Sequence, residues 1–176
     1  HGDFELAMRL MVIDLQAHAI AQGLTTIIKH AVRRERPMAR ACREDPQRRA
    51  SDPSCEGVAE PGIAPESFFS GHTSLAFTSA ALICLHHTEL GLLGEGGDAA
   101  MCATGLAMAS TVGLLRILAD RHYASDVIMG AAVGLVSGWL VPWLLHYDIG
   151  GPGRTEASLA PMIDANQLGA QIYGVF

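Results

Sequence analysis

The chain has few charged and few aromatic side chains for its length. Of its 176 residues, 17% are charged and 6% are aromatic, whereas 49% are hydrophobic. The 18 aspartates and glutamates outnumber the 12 lysines and arginines, which gives a net charge of −6. This balance argues against a general nucleic-acid-binding protein, so we expect no nucleic-acid partner. The length fits one domain with a single core.

The sequence also lacks a C-x-x-C pair, which argues against a zinc knuckle. Its four cysteines are Cys42, Cys55, Cys84 and Cys102. The first two share a polar segment and could form a disulfide in an oxidising compartment. The other two lie almost symmetrically about a glycine-rich connection near Gly94, so they could face each other across a helical hairpin. Four free thiols is the alternative, and the sequence leaves the pairing open.

No strong strand pattern is present, and helical periodicity dominates. It predicts helices over 4 to about 35, from near His72 to Leu90, over Ala99 to about Leu118, and from about Ser125 to His146. The segment from Met38 to Glu66 is rich in proline and charge, and we predict that it is a long loop. The glycine-rich stretch from Gly91 to Asp98 is predicted to be a linker. We therefore predict an all-α bundle of four to five long helices, with the active site at one end. Residues 1–148 would form this domain, N-terminally incomplete, and 149–176 a C-terminal tail to which no function is assigned.

The fourth predicted helix is uncharged from Val127 to Leu145, which is about the length that spans a bilayer. Its glycines at 130, 134 and 138 form a stripe that allows close approach of another helix, and Pro142 should kink its last turns. We predict a membrane-embedded protein; a soluble exported protein is the alternative. The positive-inside rule would place the arginine-rich end in the cytoplasm. A phosphate site needs positive charge for its own reasons, so we give that rule little weight. We predict a bacterial-type inner membrane with the site facing the periplasm, and leave the oligomeric state open.

The stretch LRILADRHYASD carries the clearest chemical signal. It places Arg116, His122 and Asp126 close together in the chain. An aspartate one helical turn from a histidine can hold the ring in one tautomer and stabilise its cation, which makes the other ring nitrogen a better nucleophile. Cationic groups beside a serine–glycine turn that opens a helix are what a transferring phosphoryl group requires. The stretch therefore favours a metal-independent phosphoryl-transfer site.

Three motifs in order support the same chemistry: K-x6-R-P from Lys29 to Pro37, S-G-H from Ser70 to His72, and R-x5-H-x3-D from Arg116 to Asp126. Together they resemble the signature motifs of the type-2 phosphatidic acid phosphatase and vanadium haloperoxidase superfamily. The resemblance implies that His122 is the nucleophile that forms a phosphohistidine and that Asp126 orients and charge-stabilises it. It implies that His72 is first general acid and then general base. The groups that it assigns to the substrate phosphate are Lys29, Arg36, Ser70, Gly71 and Arg116.

The chain departs from the family pattern at three positions. Leu115 stands where serine is common, and Phe69 and Ala124 stand where proline is frequent. None of these changes removes a charged catalytic group, although the missing serine could cost one hydrogen bond to phosphate. Outside the motifs, the pair His86 and His87 is not expected to bind a metal, because adjacent residues diverge on a helix. Arg33 and Arg34 are expected to lie on a solvated face, with assistance to an anionic substrate as the alternative.

The sequence therefore predicts a phosphoric ester hydrolase that needs no cofactor or metal. Its substrate would be a phosphate monoester or pyrophosphate, on a phosphorylated lipid or on a small phosphoester. One alternative keeps the pocket and changes the reaction: a haloperoxidase in which the same cations hold vanadate. The other is a catalytically inactive membrane-scaffold homologue.

Overall fold

The structure is a computed structural model that describes residues 2–56, 66–147, 158–164 and 167–173. Four long helices form the bundle: α1 (Gly2–Val32), α4 (Gly71–Leu90), α5 (Gly94–Leu118) and α6 (Ala124–Leu135), the last continued by α7 (Val141–His146). This confirms the predicted all-α fold class. The largest shift in a helix boundary is at α5, which begins at Gly94 rather than at Ala99. The predicted linker is correspondingly shorter, and Gly91 ends α4 in the left-handed region with φ 57°.

Helix α4 runs through the middle of the bundle and packs against α1, α5 and α6. Half of its length is buried, mostly through small and hydroxyl-bearing side chains, and Leu82 joins Ile13 and Ala17 of α1 in the core. Small side chains let helix backbones approach closely, which favours association where lipid removes the hydrophobic drive between helices. The position of α4 therefore fixes where its N-terminal residues, Ser70 to His72, lie relative to the other helices.

The glycine stripe of α6 is the surface that contacts α4. A Cβ on Gly130 would lie 2.6 Å from the carbonyl oxygen of Ser70, and one on Gly134 would lie 2.4 Å from that of Ser74. One on Gly138 would lie 2.3 Å from the carbonyl oxygen of Thr78. The predicted close approach is therefore made within the chain, by residues that have no room for a side chain.

The end of the fourth predicted helix is irregular, as Pro142 led us to expect. A π-helical turn, Val136–Leu140, precedes α7, and Pro142 lies at the start of α7. Proline has no N–H to donate to the preceding turn, and a wider turn before it accommodates the missing bond.

The prediction of a loop from Met38 to Glu66 is wrong for the described part of that segment. It forms α2 (Pro37–Glu44), α3 (Pro46–Ser51) and a 3₁₀ turn (Pro53–Cys55). Each of these elements begins with a proline, where the missing N–H has no helical partner to lose. The side chains of Asp45 and Asp52 accept hydrogen bonds from the N–H groups that follow, as N-caps do. The prolines and aspartates that suggested a loop are therefore the starts of short helices.

The cysteines pair as the sequence allowed. One disulfide joins Cys42 of α2 to Cys55 of the 3₁₀ turn, and the other joins Cys84 of α4 to Cys102 of α5. The first ties the ends of the polar segment together, and the second ties two long helices together. All four cysteines are used, so the free-thiol alternative is wrong.

Within the described part of the chain, three segments are long and apolar enough to cross a membrane: Phe4–Glu44, Gly94–Leu118 and Ala124–His146. Their outward faces carry large apolar side chains that the bundle leaves uncovered. Leu15 is 72% exposed, and Leu118 and Ile128 are each 70% exposed. Such faces fit a hydrocarbon environment, where apolar side chains need no protein cover.

The C-terminal tail, in which no strong strand was predicted, contains a two-stranded antiparallel hairpin, β1 (Ser158–Asp164) and β2 (Gln167–Tyr173). Within it, Ser158 pairs with Tyr173 and Asp164 with Gln167. The weak alternation of the tail sequence did not predict these strands.

Candidate active site

Three chain segments meet at the end of the bundle where α4 begins: the connection after α1, the residues before α4, and the turn between α5 and α6. Backbone hydrogen bonds join each pair of segments. Met38 N–H donates to Asp120 O (3.0 Å), Ser67 N–H to Arg34 O (2.8 Å), and Ser70 N–H to Asp126 O (3.0 Å). The three motifs are therefore fixed to one another by main-chain groups, whatever their side chains do.

His122 lies in the turn between α5 and α6 and is 4% exposed. Its backbone N–H donates to Arg116 O (3.2 Å), as does that of Arg121 (3.1 Å), which folds the turn back onto the end of α5. Its ring Nδ1 lies 2.7 Å from Ser67 O. A carbonyl oxygen can only accept, so Nδ1 carries the proton and Nε2 holds a free lone pair. Among residues 2–56 and 66–147, no group hydrogen-bonds to that Nε2.

Burial is the main reason that the pKa of His122 is lowered, to about 4, and Arg36 and Lys29 lower it further. The hydrogen bond that His122 donates to the carbonyl oxygen of Ser67 and the charge of Asp126 act in the opposite direction and do not prevail. The ring is therefore neutral near neutral pH, which is the form that a nucleophile needs.

Asp126 is completely buried in the first turn of α6, and its carboxylate accepts several hydrogen bonds. Arg34 Nη1 donates to Oδ1 (2.7 Å), while Ser67 Oγ and the N–H of Tyr123 (3.0 Å) donate to Oδ2. His122 Nδ1 is 3.7 Å from Oδ2, beyond hydrogen-bond distance. Asp126 is thus near the imidazole but does not hold its proton.

His72 lies in the first turn of α4. Burial lowers its pKa, and the positive charges of Arg116, Lys29 and Arg36 lower it further, in that order. Since Lys29 and Arg36 act on both His72 and His122, the structure brings these four predicted residues into one electrostatic environment. Arg116, at the end of α5, completes the predicted set of cations beside His72.

The predicted N-cap at Ser70 is confirmed. Its hydroxyl oxygen accepts from Thr73 N–H (3.4 Å) and from Thr73 Oγ1 (2.8 Å), and the side chain is fully buried. A Cβ on Gly71 would lie 2.9 Å from Thr25 Cγ2 and 3.9 Å from Lys29 Nζ. Gly71 therefore gives Lys29 access to the start of α4. Unpaired N–H groups and the positive end of the helix dipole lie there, which suits an anion.

Two groups of the site were not predicted. Arg34, expected on a solvated face, instead binds Asp126, donates to Ser125 Oγ (2.8 Å) and lies 4.1 Å above the ring of Tyr123. The only sequence signal was its place within the cationic motif. Ser67, which is fully buried, contacts both His122 and Asp126. Nothing in its local sequence distinguishes it, because both contacts are more than fifty residues away.

Comparison with known proteins places the chain in a family. A model of the PAP2 superfamily matches residues 12–149. The chain is 42% identical over 83 residues to a protein of Porphyromonas gingivalis named lipid A 1-phosphatase, covering 47% of this chain and 17% of that protein. It is 38% identical over 77 residues to one of Bacillus licheniformis named bacitracin transport permease protein BcrC, covering 44% of this chain and 32% of that protein. The matches thus span less than a third of either relative, and no solved structure matches significantly.

Proposed function

Since the chain belongs to the PAP2 superfamily, we propose that it is a phosphatase that hydrolyses a phosphate monoester or pyrophosphate carried by a lipid. The proposal includes a phosphohistidine intermediate on His122 and no requirement for a metal ion. The observation that carries it is the unoccupied Nε2 of a neutral, buried imidazole at the point where three cationic motif segments are bound together.

In the first step, the lone pair of His122 Nε2 attacks phosphorus as the bond to the leaving oxygen breaks. His72, protonated, gives its proton to that oxygen, which departs as an alcohol or as a phosphate. In the second step, neutral His72 takes a proton from water, the water oxygen bonds to phosphorus, and the N–P bond breaks. Inorganic phosphate leaves, and both histidines return to their starting states.

The charge that develops on the phosphoryl oxygens needs fixed positive groups. We assign this role to Lys29, Arg36 and Arg116, with the hydroxyl of Ser70 and the N–H of Gly71 at the start of α4. These cations supply the electrostatic stabilisation that a divalent ion supplies in other phosphoryl-transfer enzymes, which is why we propose that none is required.

Two observations support a lipid substrate. The relative from Porphyromonas gingivalis is named for a phosphatase that acts on lipid A. The site also lies at the end of a bundle whose outer faces are apolar and long enough for a bilayer. A lipid in the membrane would thus have its headgroup near the level of the site.

We also propose that the site end faces an oxidising compartment, the periplasm in a bacterial cell. The support is the disulfide between Cys42 and Cys55, which lies in the polar segment at that end. Disulfides form and persist in oxidising compartments and are rare in the cytosol. In intact cells that carry the protein with Cys84→Ser and Cys102→Ser, so that only the disulfide between Cys42 and Cys55 remains, a membrane-impermeant reductant followed by an impermeant maleimide should label Cys42 and Cys55; no labelling would place the site end in the cytoplasm.

The test of function is phosphate release by the purified full-length protein in detergent with a metal chelator present. The panel would contain phosphatidate, a polyprenyl diphosphate, a lipid A 1-phosphate and an aryl phosphate. We expect release from at least one lipid and an acid-labile phosphoryl group on the wild-type protein that His122→Ala does not form. His86→Ala, changed at the far end of α4, is the matched control and should keep the activity.

Release that requires a divalent metal would contradict the metal-independent mechanism. Halide oxidation with vanadate and peroxide, without phosphate release, would favour the haloperoxidase alternative. Neither activity in any condition would favour the inactive scaffold.

A further inference from the structure

The proton on His122 Nδ1 has two oxygen atoms within reach that could accept it. The carbonyl oxygen of Ser67 lies at 2.7 Å, and Oδ2 of Asp126 lies at 3.7 Å. Only the first is a hydrogen-bond distance. The imidazole is therefore oriented by a main-chain carbonyl from a different motif segment, not by the aspartate one helical turn away.

The carboxylate of Asp126 is occupied by other donors. Oδ1 receives Arg34 Nη1, and Oδ2 receives both Ser67 Oγ and the N–H of Tyr123. Because Oδ2, the oxygen of this fully buried carboxylate that lies near the ring, already accepts two hydrogen bonds, the imidazole would have to displace one of them to bind that oxygen directly. Ser67 therefore contacts Asp126 through its hydroxyl and the imidazole of His122 through its carbonyl oxygen.

Ser67 is fixed at three points: its N–H on Arg34 O (2.8 Å), its hydroxyl on Asp126 and its carbonyl on His122. We propose that Ser67 is a positioning residue for His122, and that Asp126 and Arg34 act on the imidazole through Ser67. The inference rests on the proposed function, in which His122 is the nucleophile.

The kind of acceptor matters for the chemistry. A carboxylate next to Nδ1 could take the proton, whereas an amide carbonyl cannot be protonated under ordinary conditions. The carbonyl thus keeps the proton on Nδ1 throughout the cycle, and the lone pair of Nε2 is free to attack phosphorus at the start of each turnover. When Nε2 bonds to phosphorus, the ring becomes cationic, and the dipole of the carbonyl stabilises that charge without proton transfer.

The first experiment is Ser67→Ala, which keeps the carbonyl and removes the bond that anchors it to Asp126. We expect kcat to fall about 10- to 100-fold, as when a group that orients a reacting side chain is lost. KM should stay within about twofold, because Ser67 is not assigned to the substrate phosphate. Ser67→Thr, which keeps the hydroxyl, should recover most of the loss. The control is Ser79→Ala, a serine that bonds to His18 instead (3.0 Å), and it should retain kcat.

The second experiment measures the tautomer itself, by ¹⁵N NMR of histidine-labelled protein in detergent, with the His122 signals assigned by their loss in His122→Ala. We expect the Nδ1–H tautomer in the wild type and also in Asp126→Asn, because the acceptor is the carbonyl. A third measurement, kcat of Ser67→Ala combined with Asp126→Asn, should show little loss beyond the larger single effect, because both act through one bond.

Several outcomes would overturn the proposal: an Nε2–H tautomer in the wild type, loss of the Nδ1–H tautomer in Asp126→Asn, wild-type kcat in Ser67→Ala, or additive losses in the double variant. Should Ser67→Ala fail to fold, the ¹⁵N spectrum of Asp126→Asn still shows whether the Nδ1–H tautomer of His122 depends on the carboxylate. The tautomer does not depend on turnover, so a protein that releases no phosphate would contradict the proposed function and leave the orientation of His122 measurable.

Discussion

Two histidines, His86 near the C-terminal end of α4 and His122 at the site end of the bundle, differ in how many of their ring nitrogens are bonded. His86, fourteen residues beyond His72, has both ring nitrogens bonded, Nδ1 to Tyr147 Oη (2.6 Å) and Nε2 to Asp14 Oδ1 (2.9 Å). His122 at the site end has one nitrogen bonded, and its Nε2 points to no group in the described part of the chain. Both have a carboxylate nearby. An aspartate nearby therefore does not distinguish the two histidines, whereas the unbonded ring nitrogen beside cations is found at His122 and supports its proposed role as the nucleophile.

The two ends also differ in what holds them together. At the site end, backbone hydrogen bonds join the three segments, so the segments are held together without the side chains that we propose to bind and attack phosphate. At the far end, the contacts between helices are made by side chains, including the Asp14–His86–Tyr147 chain and the disulfide between Cys84 and Cys102. Substitutions at the site end should therefore alter activity more than stability, and those at the far end the reverse.

The largest expected difference is between His122→Ala and His86→Ala. The first should lower kcat by at least about a thousandfold with little change in Tm, because the attacking atom is lost. The second should lower Tm and keep kcat within about twofold, because it removes two interhelical bonds far from the site. Phosphate release in detergent measures kcat of the two variants, and thermal unfolding in detergent measures their Tm. Equal activity losses in the two variants would remove the distinction drawn between them.

Asp126→Asn and Asp14→Asn form the next pair. We expect Asp126→Asn to lower kcat about 10- to 100-fold, less than the loss of the nucleophile, because it weakens the bonds to Arg34 and to Ser67, through which Asp126 positions the imidazole. Asp14→Asn should leave kcat nearly unchanged. Steady-state kinetics on the same lipid phosphate measure kcat of both variants. A large loss of kcat in Asp14→Asn would mean that the far end takes part in turnover.

The pH profile follows from the site histidines. The pKa of His122 is lowered to about 4, so the ring becomes a nucleophile as pH rises through that value. His72 must be protonated to act as an acid, and its pKa lies below the ordinary 6.5, so this function is lost as pH rises toward neutrality. Plotted against pH, kcat/KM should form a bell with an acidic optimum. Measuring the profile with substrates whose phosphate groups differ in pKa separates the limbs that come from the enzyme from those that come from the substrate. An optimum above neutral pH would contradict the roles assigned to His122 and His72.

Glycine-to-alanine substitutions test the close contact between α6 and α4, which runs from the site end toward the far end. Gly134→Ala would place a Cβ 2.4 Å from Ser74 O and 2.7 Å from Phe77 Cβ, so the helices must separate. We expect it to lower the free energy of unfolding by about 1–3 kcal/mol. Gly23→Ala, on the exposed face of α1 with nothing within 4 Å, should raise it by about 0.5–1 kcal/mol. Similar effects of both substitutions would show that the close contact is unimportant.

The smallest expected effect is that of Tyr147→Phe, which removes only the hydroxyl bonded to His86. One lost hydrogen bond should cost about 1 kcal/mol of unfolding free energy. Activity should remain within twofold, since no backbone bond at the site end is touched. Denaturant unfolding monitored by circular dichroism measures the loss, and a tenfold fall in activity would mean that the two ends are coupled.

Local sequence signals predicted much of this structure because their physical causes are local. The N-cap at Ser70 depends on residues three apart, and the helical periods depend on residues three or four apart. The prolines at 37, 46 and 53 were interpreted as loop signals although they also suit the first position of a helix. That choice depends on whether a capping side chain and packing follow, which composition alone did not reveal.

The all-α fold class, the three motifs and their order, and the membrane-length apolar segments could all be predicted from the amino-acid sequence, because each depends on residues that are neighbours along the chain. The groups that hold His122 could be identified only in the folded chain. Ser67 is fifty-five residues from His122, and Arg34 is ninety-two from Asp126. Bonds between such distant residues exist only after α6 has packed against α4 through the glycines of α6, and so no local pattern specifies them.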